Sequence, residues 1–262
     1  MRWKTFAIGY SLALALLLFA QRRPAAHESA QFTAIIDLTH PINPKAPTCE
    51  VTDRPQFTAK EVASYDREGY FARELCLPEH FSTHMDAPAH LARGRWTVDQ
   101  IPAERLIGPL VVLDVSSKTS GDADYQVSIE DIARWEQVNG EIAPGAIVMA
   151  RTGWSTRWQT PSAYRNPDAK GTMHFPGFSA EAARFLVESR NVVGLGIDTL
   201  SLDPGKSKDL PVHKYLGMRS IYGLENVANL GRAPEAGAIA MIAPAKIEGG
   251  SGAPVRIMAL VR

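Results

Sequence analysis

The chain has 262 residues, of which 45% are hydrophobic and 21% are charged, as in ordinary globular proteins. This length is enough for one large domain with a substantial core. Lys plus Arg balance Asp plus Glu at 28 each, with no run of like charge. We therefore expect no nucleic acid partner, and the neutral balance fits an enzyme that acts on a small molecule.

The first 30 residues have the pattern of a signal peptide. A short basic start at Arg2 and Lys4 precedes a mostly apolar run over residues 6–20. Such a run has the length of a signal-peptide core and is short for a membrane span of about 20 residues. We expect residues 1–30 to be a cleaved signal peptide, with an uncleaved N-terminal anchor or a buried helix as the alternatives. The protein is then exported to the periplasm or secreted, and it contacts a membrane only if the segment is uncleaved.

Two cysteines, Cys49 and Cys76, are the only ones in the chain. In an exported protein they could form a disulfide. They could equally remain two separate thiols, because two cysteines do not make a disulfide framework.

Residues 31–262 are expected to form one domain in which strands alternate with helices. Strands are predicted at short apolar runs, and helices where a serine cap precedes an amphipathic stretch. In chain order the predicted strands are 34–38, 110–115, 146–150, 192–197, 239–244 and 255–261, and the predicted helices are 129–138 after Ser128 and 179–190. Residues 41–55 carry four prolines and are expected to be a loop. This alternation predicts an α/β fold whose mixed sheet is flanked by helices.

Three of the seven histidines and one aspartate lie within the eleven residues that end at His90. Imidazole and carboxylate groups suit zinc, manganese or iron. In an extended chain His84 and Asp86 point the same way, roughly 6.7 Å apart, so both can face one ion. In a straight strand His80 would lie about 13 Å from His84. Either the chain curls at residues 81–83, or His80 has another role. The alternative without a metal is a strand with surface histidines.

Polar residues farther along the chain give weaker signals. Asp198 ends a predicted strand, a position where α/β proteins commonly display functional groups. His213 follows the sequence Leu-Pro-Val, and Glu225 precedes Asn226. Taken alone, none of these residues requires a functional role.

Taken together, the motifs resemble the cyclase family, which includes bacterial kynurenine formamidases and isatin hydrolases. The pattern H-x-x-x-H-x-D-x-P-x-H spans residues 80–90. An I-D-T-x-S-x-D stretch follows at 197–203, and a P-V-H…L-E-N block at 211–226. Residues 36–42 resemble the first strand and loop of the family. The likeness runs from about residue 34 to the C-terminus and implies a single domain of the swivelling β/β/α type.

The resemblance also implies the roles of individual residues. It implies five metal ligands, namely His80, His84, Asp86, His213 and Glu225. Asp86 and Glu225 would bridge a first and a second metal position, and His90 would be the general acid/base. The cofactor would be zinc, or manganese as the alternative, bound as one ion or two.

The implied activity is metal-dependent hydrolysis of a small amide, a formamide or a cyclic amide by a homodimer or homotetramer. The alternatives are a lyase or cyclase that uses the same metal, and an exported metal-binding protein without catalysis. Two positions depart from the family pattern. Ser82 stands where the family usually has glycine, and residues 47–50 lack the tryptophan that this loop often offers to the substrate. We therefore expect weak or no activity on N-formylkynurenine and cleavage of some other small amide or of a lactam such as isatin.

Overall fold

The computed structural model describes residues 32–48 and 56–262 of the chain. The predicted signal peptide or anchor and Cys49 lie outside the described residues, whereas Cys76 lies on an exposed strand. Phe32–Arg262 forms one compact unit. A search of the described residues for a helix long and apolar enough to cross a membrane finds none.

The described residues form twelve strands and six α-helices. The strands are β1 (Ala34–Asp37), β2 (Thr58–Ala63), β3 (Ala72–Cys76), β4 (His84–Asp86), β5 (Ile107–Asp114), β6 (Gln126–Val127), β7 (Ile147–Arg151), β8 (Gly177–Phe178), β9 (Gly194–Ile197), β10 (Tyr222–Glu225), β11 (Ala238–Pro244) and β12 (Gly252–Val261). The helices are α1 (Tyr65–Glu68), α2 (Ser116–Thr119), α3 (Ile129–Asn139), α4 (Pro161–Arg165), α5 (Ala180–Arg190) and α6 (Pro211–Met218). A short 3₁₀ helix at Pro88–His90 follows β4.

Eight of the described strands form one mixed sheet, in the order β1-β12-β11-β5-β7-β9-β10-β4. The strands β5, β7, β9 and β10 run parallel to one another, and the other pairings are antiparallel. Because β12 also pairs with β4, the sheet closes into a barrel-like arrangement. The predicted α/β domain with a mixed sheet and flanking helices is confirmed.

The central parallel strands are buried on both faces. In β5, Leu110 and Val112 face one hydrophobic cluster, while Val111 and Leu113 face another. Successive side chains of a strand point to opposite faces, which explains this division. The second cluster includes Ile132 of α3 and buried residues of α5 and α6. Burial on both faces explains why these strands have nearly continuous apolar sequences.

Both predicted helices begin at the predicted serines. The Ser128 side chain accepts a hydrogen bond from the backbone N–H of Asp131, and Ser179 accepts one from Ala182. The six predicted strands appear as β1, β5, β7, β9, β11 and β12 with small shifts at their ends. The hairpin β2–β3, strand β10 and helix α6 were not predicted. Strand β10 is short and contains Gly223, so its composition gives little indication of a strand. It is a strand because it pairs with β9 and β4.

Candidate metal centre

Strand β4 directs His84 and Asp86 to the same side. The residue between them, Met85, is fully buried in the hydrophobic core on the other side. This extended geometry is the one expected from the sequence. Glu225 on β10 pairs directly with His84 across the antiparallel ladder. As a result, His84 Nε2 lies 3.3 Å from Asp86 Oδ1 and 3.5 Å from Glu225 Oε2.

The curl expected between His80 and His84 occurs at Ser82, whose φ is 60°. This left-handed conformation costs a residue with a side chain roughly 1–2 kcal/mol. The turn folds the chain back so that His80 Nδ1 lies 2.6 Å from Asp86 Oδ1. The other ring nitrogen, Nε2, lies 3.0 Å from the hydroxyl of Ser251.

His213 reaches the same carboxylates from helix α6. Its Nε2 lies 3.1 Å from Asp86 Oδ2 and 2.9 Å from Glu225 Oε1. Each carboxylate thus turns one oxygen toward His84 and the other toward His213. The structure brings together all five residues that the resemblance implies as ligands, and together with His90 they form one polar cluster.

Sequence reasoning gave no role to Asp203, although the I-D-T-x-S-x-D block ends at this residue. The buried Asp203 carboxylate accepts hydrogen bonds from the backbone N–H groups of Val212 and His213 in the first turn of α6. It also lies 2.6 Å from His213 Nδ1. A carboxylate on one ring nitrogen fixes the imidazole orientation and leaves the other nitrogen available as a ligand.

Asp198 does not belong to this cluster. Its buried carboxylate accepts hydrogen bonds from the backbone N–H groups of Thr152 and Gly153, at 2.8 and 2.9 Å. Burial raises the pKa of Asp198, and these hydrogen bonds oppose that shift. The residue therefore anchors the turn after β7.

The centre of the cluster is buried and carries charge, and it consists of His84, Asp86, His213 and Glu225. Burial disfavours the charged form of His84, but the hydrogen bond to Asp86 and the charges of Asp86 and Glu225 outweigh it and raise the pKa to about 9. Burial opposes protonation of His213 too, but hydrogen bonds to Asp203, Asp86 and Glu225 hold its pKa well above the usual value. Burial likewise opposes ionisation of Asp86, but its three histidine partners hold its pKa well below the usual range.

The buried Asp86 and Glu225 carboxylates require positive charge beside them, because an uncompensated charge in the protein interior is costly. Without a metal that charge comes from protons on the imidazoles, and a divalent cation can replace those protons. Ligand atoms of His84, Asp86 and Glu225 all lie within 4.8 Å of one another, as do those of His80, Asp86 and His90. The donor set consists of imidazole nitrogens and carboxylate oxygens and fits a divalent metal ion.

His90 lies at the edge of the cluster and is exposed. Its ring centroid is 4.0 Å from that of His80 and 6.3 Å from that of His213. Desolvation lowers the pKa of His90, and the nearby charge of Asp86 offsets only part of this effect. A neutral imidazole at pH 7 can accept a proton, as a general base must.

A cavity of about 600 Å³ opens over the cluster. Its apolar wall includes Met173, Phe175, Leu200, Pro204 and Leu210. Among the described residues that line it, the ionisable groups all belong to the cluster, and none is a lysine or arginine. The cavity therefore combines an apolar wall with a charged floor formed by the cluster.

Comparison with known proteins identifies the family. Residues 36–204 match the family described as a putative cyclase. The chain is also 34% identical to an isatin hydrolase of Roseibium aggregatum over 242 residues, which cover 87% of this chain and 91% of the relative. It belongs to the cyclase family. The region that matches the family contains His80, His84, Asp86 and His90. His213 and Glu225 lie after this region in the sequence, and the fold of this cyclase-family protein brings them beside the other four residues.

Other relatives agree with this assignment. A kynurenine formamidase of Salinibacter ruber is 30% identical, with 85% of this chain and 95% of the relative covered. The solved structure of isatin hydrolase A from Ralstonia solanacearum has a TM-score of 0.82 at 35% identity and covers 87% of this chain and 92% of that chain. These relatives show that this cyclase-family protein is a metal-dependent hydrolase that cleaves amide C–N bonds other than peptide bonds.

Metal affinity is expected to rise with pH. Because the pKa of His84 is about 9 in the metal-free protein, its Nε2 carries a proton at pH 7 that a bound cation must displace. Each proton released on binding raises the affinity by up to about tenfold per pH unit below that pKa. Calorimetric zinc titrations between pH 6 and 8 measure the affinity, and repeating them in buffers of different ionisation enthalpy gives the number of protons released per zinc ion bound. Zinc binding without proton release, or weaker binding at higher pH, would contradict this interpretation.

Gly252→Ala is expected to weaken zinc binding by about 10- to 100-fold, the usual effect of disturbing a ligand's surroundings. A Cβ at Gly252 would lie 2.5 Å from His80 Cε1. The ring cannot move without losing its contacts with Asp86, Ser251 and His90. The matched control is Gly121→Ala, where the added Cβ meets no atom within 4 Å. Equal zinc dissociation constants for both variants and the wild type would show that His80 is not a ligand.

Proposed function

We propose that this protein hydrolyses a small neutral aromatic lactam such as isatin, using a divalent metal ion held by the buried cluster. The main support is that the cluster lies beneath a cavity with an apolar wall. The similarity to isatin hydrolases supports the same reaction class.

The cavity favours isatin over N-formylkynurenine. Isatin is flat and uncharged, so the apolar wall around Phe175 and Leu200 can cover its rings. N-formylkynurenine carries an amino-acid head group whose carboxylate needs a cationic partner when it is buried. The described lining residues offer no lysine or arginine for this purpose.

The proposed metal ligands are His80, His84, Asp86, His213 and Glu225. Nitrogen and oxygen donors without thiolate suit zinc, and manganese is the alternative. The ligand atoms of His84, Asp86 and Glu225 form one group, and those of His80, Asp86 and His90 form another that shares Asp86. This sharing is compatible with one ion or with two.

The proposed reaction adds water to the lactam carbonyl and breaks the C–N bond. The carbonyl carbon becomes a carboxylate, and the ring nitrogen leaves as an amine that takes up a proton. A divalent ion held by the cluster would lower the pKa of a nearby water toward about 7 and polarise the carbonyl. His90 accepts the proton from water and returns it to the leaving nitrogen, which a neutral imidazole at the edge of the cavity can do.

The proposed setting is outside the cytoplasm, in the periplasm or after secretion. The apolar run at residues 6–20 supports export, with an N-terminal anchor as the alternative. We also propose that the protein is a homodimer or homotetramer. The β2–β3 hairpin supports association because its large apolar side chains, Val62, Tyr65, Tyr70, Phe71 and Leu75, are 49–73% exposed.

The roles of ligand and base are separated by three variants. We expect His84→Ala and Asp86→Ala to lose most of the bound metal and all turnover. We expect His90→Ala to keep the metal and to lower kcat by about 10²- to 10⁴-fold, the usual contribution of a general acid/base. Elemental analysis of each purified variant beside its kcat tests both expectations. Full metal occupancy in His84→Ala would remove it from the ligand set, and loss of metal in His90→Ala would make that residue a ligand.

The substrate proposal is tested by comparing isatin, formanilide and N-formylkynurenine under identical metal conditions. We expect kcat/KM for isatin to exceed that for N-formylkynurenine by at least about tenfold, the equivalent of 1.4 kcal/mol. The reason is that, among the described lining residues, no lysine or arginine would pair with the carboxylate of N-formylkynurenine. A higher kcat/KM for N-formylkynurenine would overturn the proposed substrate class, while leaving the assignment as an amide hydrolase intact.

A further inference from the structure

Asn226 follows the cluster residue Glu225 and is almost completely buried. Its backbone N–H donates to the carbonyl of Thr199 at 2.9 Å, and its carbonyl accepts from the Thr83 hydroxyl at 2.7 Å. Its side-chain Nδ2 donates to the carbonyl of Ser82 at 2.8 Å, and its Oδ1 lies 3.1 Å from the Tyr164 hydroxyl, which shares its single proton with the carbonyl of Asp198 at 3.0 Å. The backbone carbonyl of Ser82 can only accept, so it must face the Nδ2 end of the amide.

The same Ser82 carbonyl lies 3.0 Å from His84 Nδ1. Because a carbonyl oxygen has no proton to donate, this contact requires a proton on Nδ1 of the imidazole. The opposite nitrogen, Nε2, then faces Asp86 and Glu225. One backbone carbonyl therefore selects the ring orientation and the tautomer that leave Nε2 available to a metal.

The direction of this carbonyl depends on an unusual turn. Ser82 has a φ of 60° and Asn226 a φ of 55°, both in the left-handed region. Asparagine adopts this conformation more readily than most residues, whereas serine does so rarely. The hydrogen bonds between Asn226 and the residues Ser82 and Thr83 join the two turns across β4 and β10.

We propose that Asn226 is a positioning residue of the metal centre. Its amide holds the Ser82 carbonyl, which fixes the tautomer and orientation of His84, and the Tyr164 hydroxyl orients the amide. The inference rests on the proposed role of His84 as a ligand. Asn226 itself acts only through this carbonyl, so its effect is expected first in metal affinity and in the behaviour of the His84 ring.

The test uses Asn226→Asp, Tyr164→Phe and a matched control. The aspartate keeps the size of the side chain but replaces the Nδ2 donor with an oxygen that faces the Ser82 carbonyl. The phenylalanine keeps the buried ring and removes only the hydroxyl. The control is Asn229→Asp, because Asn229 is also left-handed, with a φ of 56°, and its Nδ2 donates to the carbonyl of Asp37 at 2.8 Å on the exposed surface.

Two measurements are made on each full-length variant. Zinc dissociation constants are expected to rise about 10- to 100-fold in Asn226→Asp, as for other residues that orient ligands. In Tyr164→Phe they should rise roughly two- to tenfold, the effect of one hydrogen bond, and in Asn229→Asp they should not change. In ¹⁵N-labelled zinc-loaded protein, the His84 Nδ1–H should exchange slowly with water in the wild type and fast in Asn226→Asp.

The second measurement separates positioning from a general loss of stability. A purely structural role would lower the unfolding temperature of the metal-free protein but leave the Nδ1–H exchange of His84 unchanged. Wild-type zinc affinity and slow exchange in Asn226→Asp would overturn the role of Asn226. If Asn226→Asp does not fold, wild-type zinc affinity and slow Nδ1–H exchange in Tyr164→Phe would overturn the role of Asn226. A wild-type protein that binds no zinc would overturn the proposed metal centre and, with it, this inference.

Discussion

Strand β4 is only three residues long, yet it is paired on both sides, with β10 and with β12. This double pairing closes the barrel and also sets the geometry of the candidate site. It places His84 opposite Glu225, and it places Asp86 opposite two glycines, Gly223 and Gly252. The glycine at 252 leaves the space in which the His80 ring approaches Asp86. A change of one residue in this register would turn His84 and Asp86 into the core and Met85 into the cavity.

The closed barrel concentrates charge where water is largely excluded. Asp86 and Glu225 are each only 5% exposed, so their charges must be compensated by neighbouring groups. His84 and His213 can supply protons for this purpose, and a divalent ion can take their place. Metal binding and folding are therefore coupled, because an ion that binds only the folded chain stabilises it. The same exchange of protons for an ion links metal affinity to pH.

Local sequence signals predicted the parts of the fold that local interactions determine. Helices α3 and α5 begin at their serine caps, and the apolar runs of β5, β7 and β9 are buried strands. The alternation of His84, Met85 and Asp86 gave their directions correctly. Strand β10 and helix α6 depend instead on distant partners. Strand β10 is defined by its neighbours in the sheet, and the first turn of α6 is capped by Asp203, eight residues before Pro211.

The site shows the same division between local and distant determinants. Spacing left open either a turn between His80 and His84 or another role for His80, and only the structure shows the turn at Ser82 and the hydrogen bond that joins it to Asn226. Family resemblance implied that His213 and Glu225 belong beside Asp86, which neither local sequence could indicate. Asp198 occupies a strand end that often carries functional groups, yet its carboxylate accepts hydrogen bonds from the backbone of Thr152 and Gly153 and from the Thr152 hydroxyl. The direction of a buried side chain thus depends on partners that a single stretch of sequence does not contain.

Anomalous X-ray diffraction at the zinc absorption edge, on crystals of the zinc-loaded protein, tests the metal centre most directly. We predict an anomalous peak within bonding distance of His84 Nε2 and of carboxylate oxygens of Asp86 and Glu225. We also predict that His84 Nδ1 still faces the carbonyl of Ser82. A zinc ion bound elsewhere in the protein, with these three side chains turned away from it, would show that the cluster is not the metal centre.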